Sequence, residues 1–147
     1  TVPPVDFAMG DADRGRELFG SNCAGCHRAN GAGGRLGPDL SRIVRTRSRA
    51  ALTLAIRDPS ASMAVGYRTV TLVTTDGRQI RGVKKGEDAF SVQIADTGER
   101  LQGYLKTDLG EVRDEQQSLM PAFGPDRLSD GDLDDLLRFL GTSNVDQ

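Results

Sequence analysis

The stretch Cys23-Ala24-Gly25-Cys26-His27 is the part of this sequence from which its fold can be worked out. It holds both cysteines and the single histidine of the 147-residue chain. Thiols and imidazoles are the side-chain groups that soft metals prefer and that redox chemistry uses. Because all three lie within five consecutive residues, we expect them to form one chemical site.

The spacing C-x-x-C-H is the attachment signature of c-type haem. Two thiols at this separation reach two vinyl groups on one edge of a porphyrin, and the imidazole that follows turns under the iron. The small residues Ala24 and Gly25 allow the turn to lie against the ring. We therefore predict one haem c, bound covalently through Cys23 and Cys26, with His27 as an axial ligand.

Three other interpretations compete with haem attachment. A zinc site needs about four ligands, and adjacent Cys26 and His27 do not easily share one tetrahedron. A thioredoxin-like redox pair expects C-x-x-C after a strand, whereas a helical pattern precedes it here. A plain disulfide between Cys23 and Cys26 is the third alternative.

Composition excludes several classes of function. Only 37% of residues are hydrophobic and 5% are aromatic, so a haem would supply apolar surface that the side chains lack. The net charge of −2 argues against nucleic-acid binding, which needs a basic face. No stretch approaches the roughly 18–20 apolar residues of a membrane span. Because the chain begins at Thr1, we expect a processed or trimmed product.

Two kinds of periodicity divide the chain. A helical pattern predicts helices at residues 11–20, 40–45, 48–57 and 129–140, after a tail or linker at residues 1–10. Asp11 or Asp13 is the expected cap of the first helix, and Ser48 and Ser129 are the expected caps of two others. Residues 31–37 are glycine-rich and predict a loop.

Between these helices the pattern alternates, as in strands. It predicts a four-stranded antiparallel meander, with strands at residues 67–75, 79–84, 90–95 and 100–107. Asp76-Gly77 is a strong hairpin signal between the first two strands. Phe90 alternates with Val92 and Ile94, and Leu101 with Leu105, so we expect these side chains to form apolar faces.

The order of the motifs resembles that of the class I c-type cytochromes. The resemblance rests on a first helix with Gly15 and Phe19, then Cys23-Ala24-Gly25-Cys26-His27, Gly37-Pro38-Asp39-Leu40, Ser118-Leu119-Met120-Pro121 and a terminal helix at residues 133–141. Gly37-Pro38-Asp39-Leu40 is similar to the family's G-P-x-L motif, and the Met120 segment is similar to its distal-ligand segment. The family likeness covers both ends of the chain.

This resemblance implies roles for single residues. His27 and Met120 would be the two iron ligands, and the Pro38 carbonyl would accept the second imidazole N–H. Leu40 would lie against the cofactor as the last residue of the G-P-x-L motif. Gly15 and Phe19, on the first helix, would pack against Phe139 or Leu140 on the terminal helix.

The separation of His27 from Met120 is greater than in compact members of that family, and the predicted meander accounts for the excess. We therefore expect a mainly α protein: the class I cytochrome c helical fold around one haem, with the four-stranded meander inserted. Residues 11–66 and 109–147 would form the haem domain and residues 67–108 the insertion. This arrangement resembles bacterial haem-binding modules appended to larger periplasmic dehydrogenase-like proteins.

The sixth iron ligand has alternatives. With one histidine, two histidine ligands from one chain are excluded. Met120 is the expected ligand; Met63, Met9, a lysine or an open position are the alternatives. A thioether ligand raises the reduction potential and fills the site where a small molecule would bind. Met120 ligation therefore predicts a one-electron carrier without enzymatic activity, and an open or labile position predicts a haem enzyme or a gas or redox sensor.

Charge patterning and the resemblance bear on partners. Cations cluster at Arg42, Arg45, Arg47, Arg49 and Arg57, and acids cluster at Asp126, Asp130, Asp132, Asp134 and Asp135. These sets are either solvated helix faces, a dipolar surface that orients a redox partner, or, for some arginines, partners of haem propionates. We expect a monomer in the periplasm or outside the cell, with a redox protein or a parent dehydrogenase domain as partner.

The inserted sheet has two possible roles. A small sheet alone is marginal in water, so its apolar face must pack on something. Either it covers a haem edge and shields the Met120 loop, or its strand edges form a docking surface for a partner domain.

Overall fold

The computed structural model describes residues 7–142, which divide into two compact units. The helical unit contains the residues up to Asp58 and those from Ala122 onward, and the sheet unit is Pro59–Pro121. Most of the predicted tail lies outside the described residues, but Phe7, inside the predicted tail, is buried. No helix within residues 7–142 has the length and apolar character needed to cross a membrane.

The helical unit is built from four helices and one very short hairpin among its described residues. These are α1 (Ala12–Asn22), β1 (Arg28–Ala29), β2 (Ala32–Gly33), α2 (Ile43–Thr46), α3 (Arg49–Arg57) and α4 (Asp130–Thr142). The four predicted helices are confirmed, with ends displaced by at most three residues. The β1–β2 hairpin, which pairs Arg28 with Gly33, lies partly in the segment that was predicted to be a loop.

Side-chain caps start these helices as expected. The Asp11 carboxylate accepts hydrogen bonds from the backbone N–H groups of Asp13 and Arg14, so Asp11 is the cap of α1. The Ser48 hydroxyl accepts from the N–H of Ala51 at 3.1 Å. Ser129 and Asp132 form a reciprocal pair, in which each side chain accepts from the other's backbone N–H. Such a pair satisfies two N–H groups that a helix start leaves without partners.

Helices α1 and α4 cross in close contact, and Gly15 makes the approach possible. A Cβ atom at position 15 would lie 1.9 Å from the backbone oxygen of Asp135, far inside contact distance. One turn further along α1, the rings of Phe19 and Phe139 lie with their centroids 5.5 Å apart in a tilted arrangement. The predicted packing of Gly15 and Phe19 on Phe139 is therefore confirmed.

The sheet unit contains five antiparallel strands in the order β6-β5-β4-β3-β7. They are β3 (Thr69–Thr74), β4 (Gln79–Glu87), β5 (Ser91–Asp96), β6 (Leu101–Leu105) and β7 (Leu109–Asp114). Asp76 and Gly77 form the turn between β3 and β4, and Gly77 has a φ of +91°, which suits glycine. Val70, Leu72, Val92 and Ile94 form the core of the sheet and are fully buried.

The prediction of a four-stranded, mainly α protein is wrong in two respects. A fifth strand, β7, pairs with β3 along the edge of the sheet, with Leu72 opposite Val112. The sequence of β7 does not show a clear strand pattern, because Gly110 has a low strand propensity and Glu111 and Arg113 are charged. Helices and strands hold similar numbers of residues, so the described chain is mixed α and β rather than mainly α.

The faces of two strands also differ from expectation. Val92 and Ile94 are buried as predicted, but Phe90 is 79% exposed because β5 begins after it. On β6 the predicted apolar pair Leu101 and Leu105 is 78% and 58% exposed. Tyr104 instead packs on the core of the sheet. The alternation was identified correctly, but the face that turns toward the core was not.

Candidate haem site

The two cysteines and the histidine lie on a tight turn that continues from α1. The N–H of Cys23 donates to the carbonyl of Phe19 at 2.8 Å, and the N–H of His27 donates to the carbonyl of Cys23 at 2.9 Å. The N–H of Gly37 then donates to the carbonyl of Cys26 at 2.7 Å. The turn is therefore tied at one end to a helix that packs on α4 and at the other to the loop that carries Pro38.

The imidazole of His27 is oriented by one backbone carbonyl. Its Nδ1 lies 2.8 Å from the carbonyl oxygen of Pro38. A carbonyl only accepts, so Nδ1 carries the proton and Nε2 keeps its lone pair. Burial lowers the pKa of His27, although the Pro38 carbonyl opposes the shift. The net lowering favours a neutral imidazole with Nε2 as the metal-binding atom, held by the kind of outer partner that haem histidines use.

Both thiols are free, so the disulfide alternative is not what the structure contains. Cys23 is half-buried and Cys26 is exposed. Burial, with a smaller contribution from Cys26, raises the pKa of Cys23 to about 11. Cys23 is therefore a neutral thiol near pH 7.

The residues at this turn fit a covalently bound haem. The set comprises two reduced thiols with two residues between them and a neutral imidazole that is fixed through Nδ1. Gly37 lies beside the imidazole, where a Cβ atom would come within 2.6 Å of Cε1 of His27. Within residues 7–142, no group of three or more His, Cys, Asp or Glu residues is arranged to hold a metal ion by itself.

We expect Gly37→Ala to destabilise the protein by about 1–3 kcal/mol, the usual cost of forcing extra volume into a packed site. The added methyl group would overlap the His27 ring and displace it from the Pro38 carbonyl. Urea denaturation of the holoprotein measures the effect. The matched control is Gly20→Ala, because Gly20 lies outside the haem motif and a Cβ there meets no described atom within 4 Å. Equal stability of the two variants would contradict the prediction.

Arg28 is a supporting residue that the sequence did not single out. Its guanidinium donates to the carbonyl of Gly31 at 2.8 Å and to that of Gly33 at 3.3 Å. Its own carbonyl accepts from the N–H of Leu40 at 2.7 Å. Arg28 thereby joins the β1–β2 hairpin to the segment that contains Pro38 and Leu40. Its position directly after His27 was the only available sequence signal.

The predicted site residues fall into both units. The helical unit brings Cys23, Cys26 and His27 together on one turn, with Pro38 bonded to it and Leu40 bonded to Arg28. Met120 belongs to the sheet unit, where it is half-buried and its N–H donates to the hydroxyl of Ser118 at 3.1 Å. The alternative ligands also separate: Met63 is in the sheet unit, and Met9 is 63% exposed in the helical unit.

The two charge clusters partly neutralise each other within the helical unit. Arg49 forms an ion pair with Asp134. Arg57 pairs with Asp130 at 3.0 Å and donates to the carbonyl of Phe123 at 2.9 Å. These arginines of α3 therefore act as links to α4 and to the segment before it. The sequence missed this because it contains no information on which helices face each other.

Comparison with known proteins places the chain in a family. The sequence model of cytochrome c matches residues 12–88, which is just over half of the chain. The chain belongs to the cytochrome c family. Membership implies covalently bound haem c and haem-based electron transfer. Members of this family are typically electron carriers without catalytic activity. The matched segment of this cytochrome contains Cys23, Cys26 and His27, and ends before Met120.

One curated relative adds detail. A cytochrome c-553-like protein of Synechocystis sp. is 49% identical to this cytochrome over 48 residues. The aligned part is 33% of this chain and 45% of the relative. The chain therefore matches slightly less than half of that relative's length.

Proposed function

We propose that this cytochrome is a one-electron carrier, or the electron-transfer domain of a longer protein, with a single haem c. Cys23 and Cys26 would form the thioether bonds, and His27 and Met120 would be the axial ligands. Haem c supplies an iron that changes oxidation state by one electron. The chain's own residues attach it, set its potential and close its sixth position.

One observation carries this proposal: the Nδ1 of His27 is bonded to the Pro38 carbonyl in the middle of a C-x-x-C-H turn. The bond holds the ring in one tautomer and leaves the lone pair of Nε2 available to iron. A hydrogen bond to the second nitrogen also raises the basicity of the ligand. A thioredoxin-like pair has no need of a fixed imidazole. A zinc site would need about four ligands, and within residues 7–142 no such group is arranged around these three.

Met120 is the best-supported distal ligand. It lies at the end of the 118–120 segment, which two hydrogen bonds fix to other parts of the sheet unit, through Ser60 and Thr69. A fixed thioether favours ferrous iron and denies the site to oxygen or peroxide. Met9 is exposed near the N-terminus, and Met63 already accepts a hydrogen bond at its sulfur from Thr69.

The wider setting of the carrier follows from the class I resemblance. The haem domain would be interrupted by the sheet insertion, which β7 extends from the predicted residues 67–108 to Asp114. Such a domain would serve a redox protein or a parent dehydrogenase-like domain. Since haem c is attached outside the cytoplasm in bacteria, the site of action would be periplasmic or extracellular, and we propose a monomer.

We expect Met120→Ala to lower the reduction potential by on the order of 0.2 V, a part of the roughly 0.8 V that axial ligands control. The reason is that water or another oxygen or nitrogen ligand stabilises ferric iron better than a thioether does. Spectroelectrochemical titration measures the shift. Met63→Leu is the matched control and should leave the potential nearly unchanged. The opposite result, with a shift only in the Met63 variant, would reassign the ligand.

The alternative function is a haem enzyme or a gas or redox sensor with an open or labile sixth position. Carbon monoxide separates the two. Reduced wild-type protein with a firm Met120 bond should bind carbon monoxide slowly and weakly at neutral pH, and Met120→Ala should bind it fast. Rapid binding by the wild type would favour the sensor or enzyme.

A further inference from the structure

Thr69 is a buried hydroxyl that serves two segments of the sheet unit at once. It opens strand β3, and its side chain is 1% exposed. Its Oγ1 accepts a hydrogen bond from the backbone N–H of Leu119 at 3.2 Å. The same hydroxyl donates to the sulfur of Met63 at 3.7 Å, because a thioether can only accept. One side chain thus contacts both the Met120 loop and the competing methionine.

The whole segment from Glu115 to Met120 is anchored to β3 and to the short 3₁₀ turn Pro59–Ala61. The N–H of Glu115 donates to the carbonyl of Thr69 at 3.0 Å, and its carboxylate accepts from the Thr71 hydroxyl at 2.8 Å. The N–H of Ser118 donates to the hydroxyl of Ser60 at 2.9 Å. Thr69 and Thr71 alternate with the core residues Val70 and Leu72, so they belong to the other face of the sheet.

We propose that Thr69 is a positioning residue that selects Met120 rather than Met63 as the distal ligand. Its acceptor lone pair holds Leu119, the residue before Met120, in place. Its hydroxyl donates to the Met63 sulfur and so ties that side chain to the start of β3, a contact that Met63 would have to give up before it could act as a ligand. This inference rests on the proposed function, in which Met120 is a ligand, and gives the inserted sheet a role in setting that ligand.

The direct test replaces Thr69 by Val, which keeps the β-branched shape and removes both hydrogen bonds. Each lost bond is of the size that shifts an equilibrium by roughly a factor of ten. We therefore expect imidazole to bind the oxidised holoprotein about tenfold more tightly in Thr69→Val, because the Met120 bond yields more readily. An absorption titration with imidazole measures this affinity. Thr69→Ser, which keeps the hydroxyl, should restore the wild-type value.

Thr71→Val is the matched control, since it is the same substitution on the same strand and face. It removes a hydrogen bond to the Glu115 side chain, and it leaves the Leu119 and Met63 contacts in place. We expect it to lower the unfolding midpoint in urea without changing imidazole affinity. Equal imidazole affinities for Thr69→Val and Thr71→Val would overturn the proposal and reduce Thr69 to a purely structural residue.

The identity of the ligand is followed separately by NMR of methyl-labelled methionine in the reduced protein. When a methionine sulfur binds the iron, its methyl group lies close to the porphyrin, and the ring current strongly shifts the signal of that methyl group. The wild-type spectrum should contain one shifted methyl signal, and that signal should be absent from the spectrum of Met120→Leu. If the signal persists in Met120→Leu, the proposed function itself is refuted. The spectrum of Thr69→Val should contain a second shifted methyl signal, from Met63. That second signal should be absent from the double variant Thr69→Val/Met63→Leu. If no second signal appears, Thr69 does not suppress Met63, and the selection proposal fails.

Discussion

Replacement of both Cys23 and Cys26 by Ser is expected to abolish covalent haem attachment completely. Each thiol adds across one vinyl group: sulfur bonds to one carbon, its hydrogen goes to the other, and no oxidant is consumed. A serine hydroxyl is a much poorer nucleophile for this addition. Both thiols are free in the structure and lie on the turn that ends with His27. Intact-mass spectrometry should therefore show one haem on wild type and none on the double variant.

The single variants refine this result. Cys23→Ser and Cys26→Ser should each keep one thioether, so the haem should stay attached after unfolding in denaturant. We expect maturation of Cys23→Ser and of Cys26→Ser to be less complete than that of wild type. Haem that resists extraction from the unfolded double variant would refute thioether attachment at these residues. Wild type that stays colourless when produced with complete cytochrome maturation machinery would refute the cofactor itself.

Phe19→Ala should lower the free energy of unfolding by about 3–5 kcal/mol, the usual cost of removing a buried aromatic ring. Phe19 is 5% exposed and packs on Phe139 where α1 crosses α4. Because Gly15 already lets α1 approach the backbone of Asp135 closely, the helices have little freedom to close the space that the ring would leave. Urea unfolding of the holoprotein, followed by circular dichroism, measures the change.

Arg16→Ala is the control for this prediction. Arg16 lies on the same helix and is exposed, so its loss should change stability by no more than about 0.5 kcal/mol. The same visible spectrum in both variants would show that the haem environment is intact. A change below about 1 kcal/mol for Phe19→Ala would mean that the crossing of α1 and α4 contributes little to the fold.

Hydrogen bonds between close neighbours in sequence were predictable. The capping side chains of Asp11, Ser48 and Ser129 each bond within three residues, so their chemistry is visible in the linear sequence. The Asp76-Gly77 turn is equally local, because a positive φ at Gly77 depends on the residue type. The bond between His27 and Pro38 spans eleven residues, and its prediction came from a resemblance to a family rather than from these residues.

Interactions between distant segments were not predictable. Strand β7 is stabilised by pairing with β3, and nothing in the sequence of β7 indicates that β3 is its partner. Alternation on β6 shows that two faces differ, but burial of Tyr104 rather than Leu101 depends on what the sheet packs against. The ion pair between Arg49 and Asp134 joins α3 to α4, whereas the charge pattern alone left solvated helix faces, a docking surface and propionate partners as alternatives.

The sequence by itself determined the chemistry of this cytochrome, because thioether attachment and proximal ligation need three reactive groups within five residues. Such a motif is complete before the chain folds. The tertiary structure decided how the remaining groups are used. Thr69 is an ordinary strand residue in the sequence, and only folding places its hydroxyl between Leu119 and Met63. A hydrogen bond acts over about 3 Å, so the partner of a distant residue exists only once the backbone has been folded.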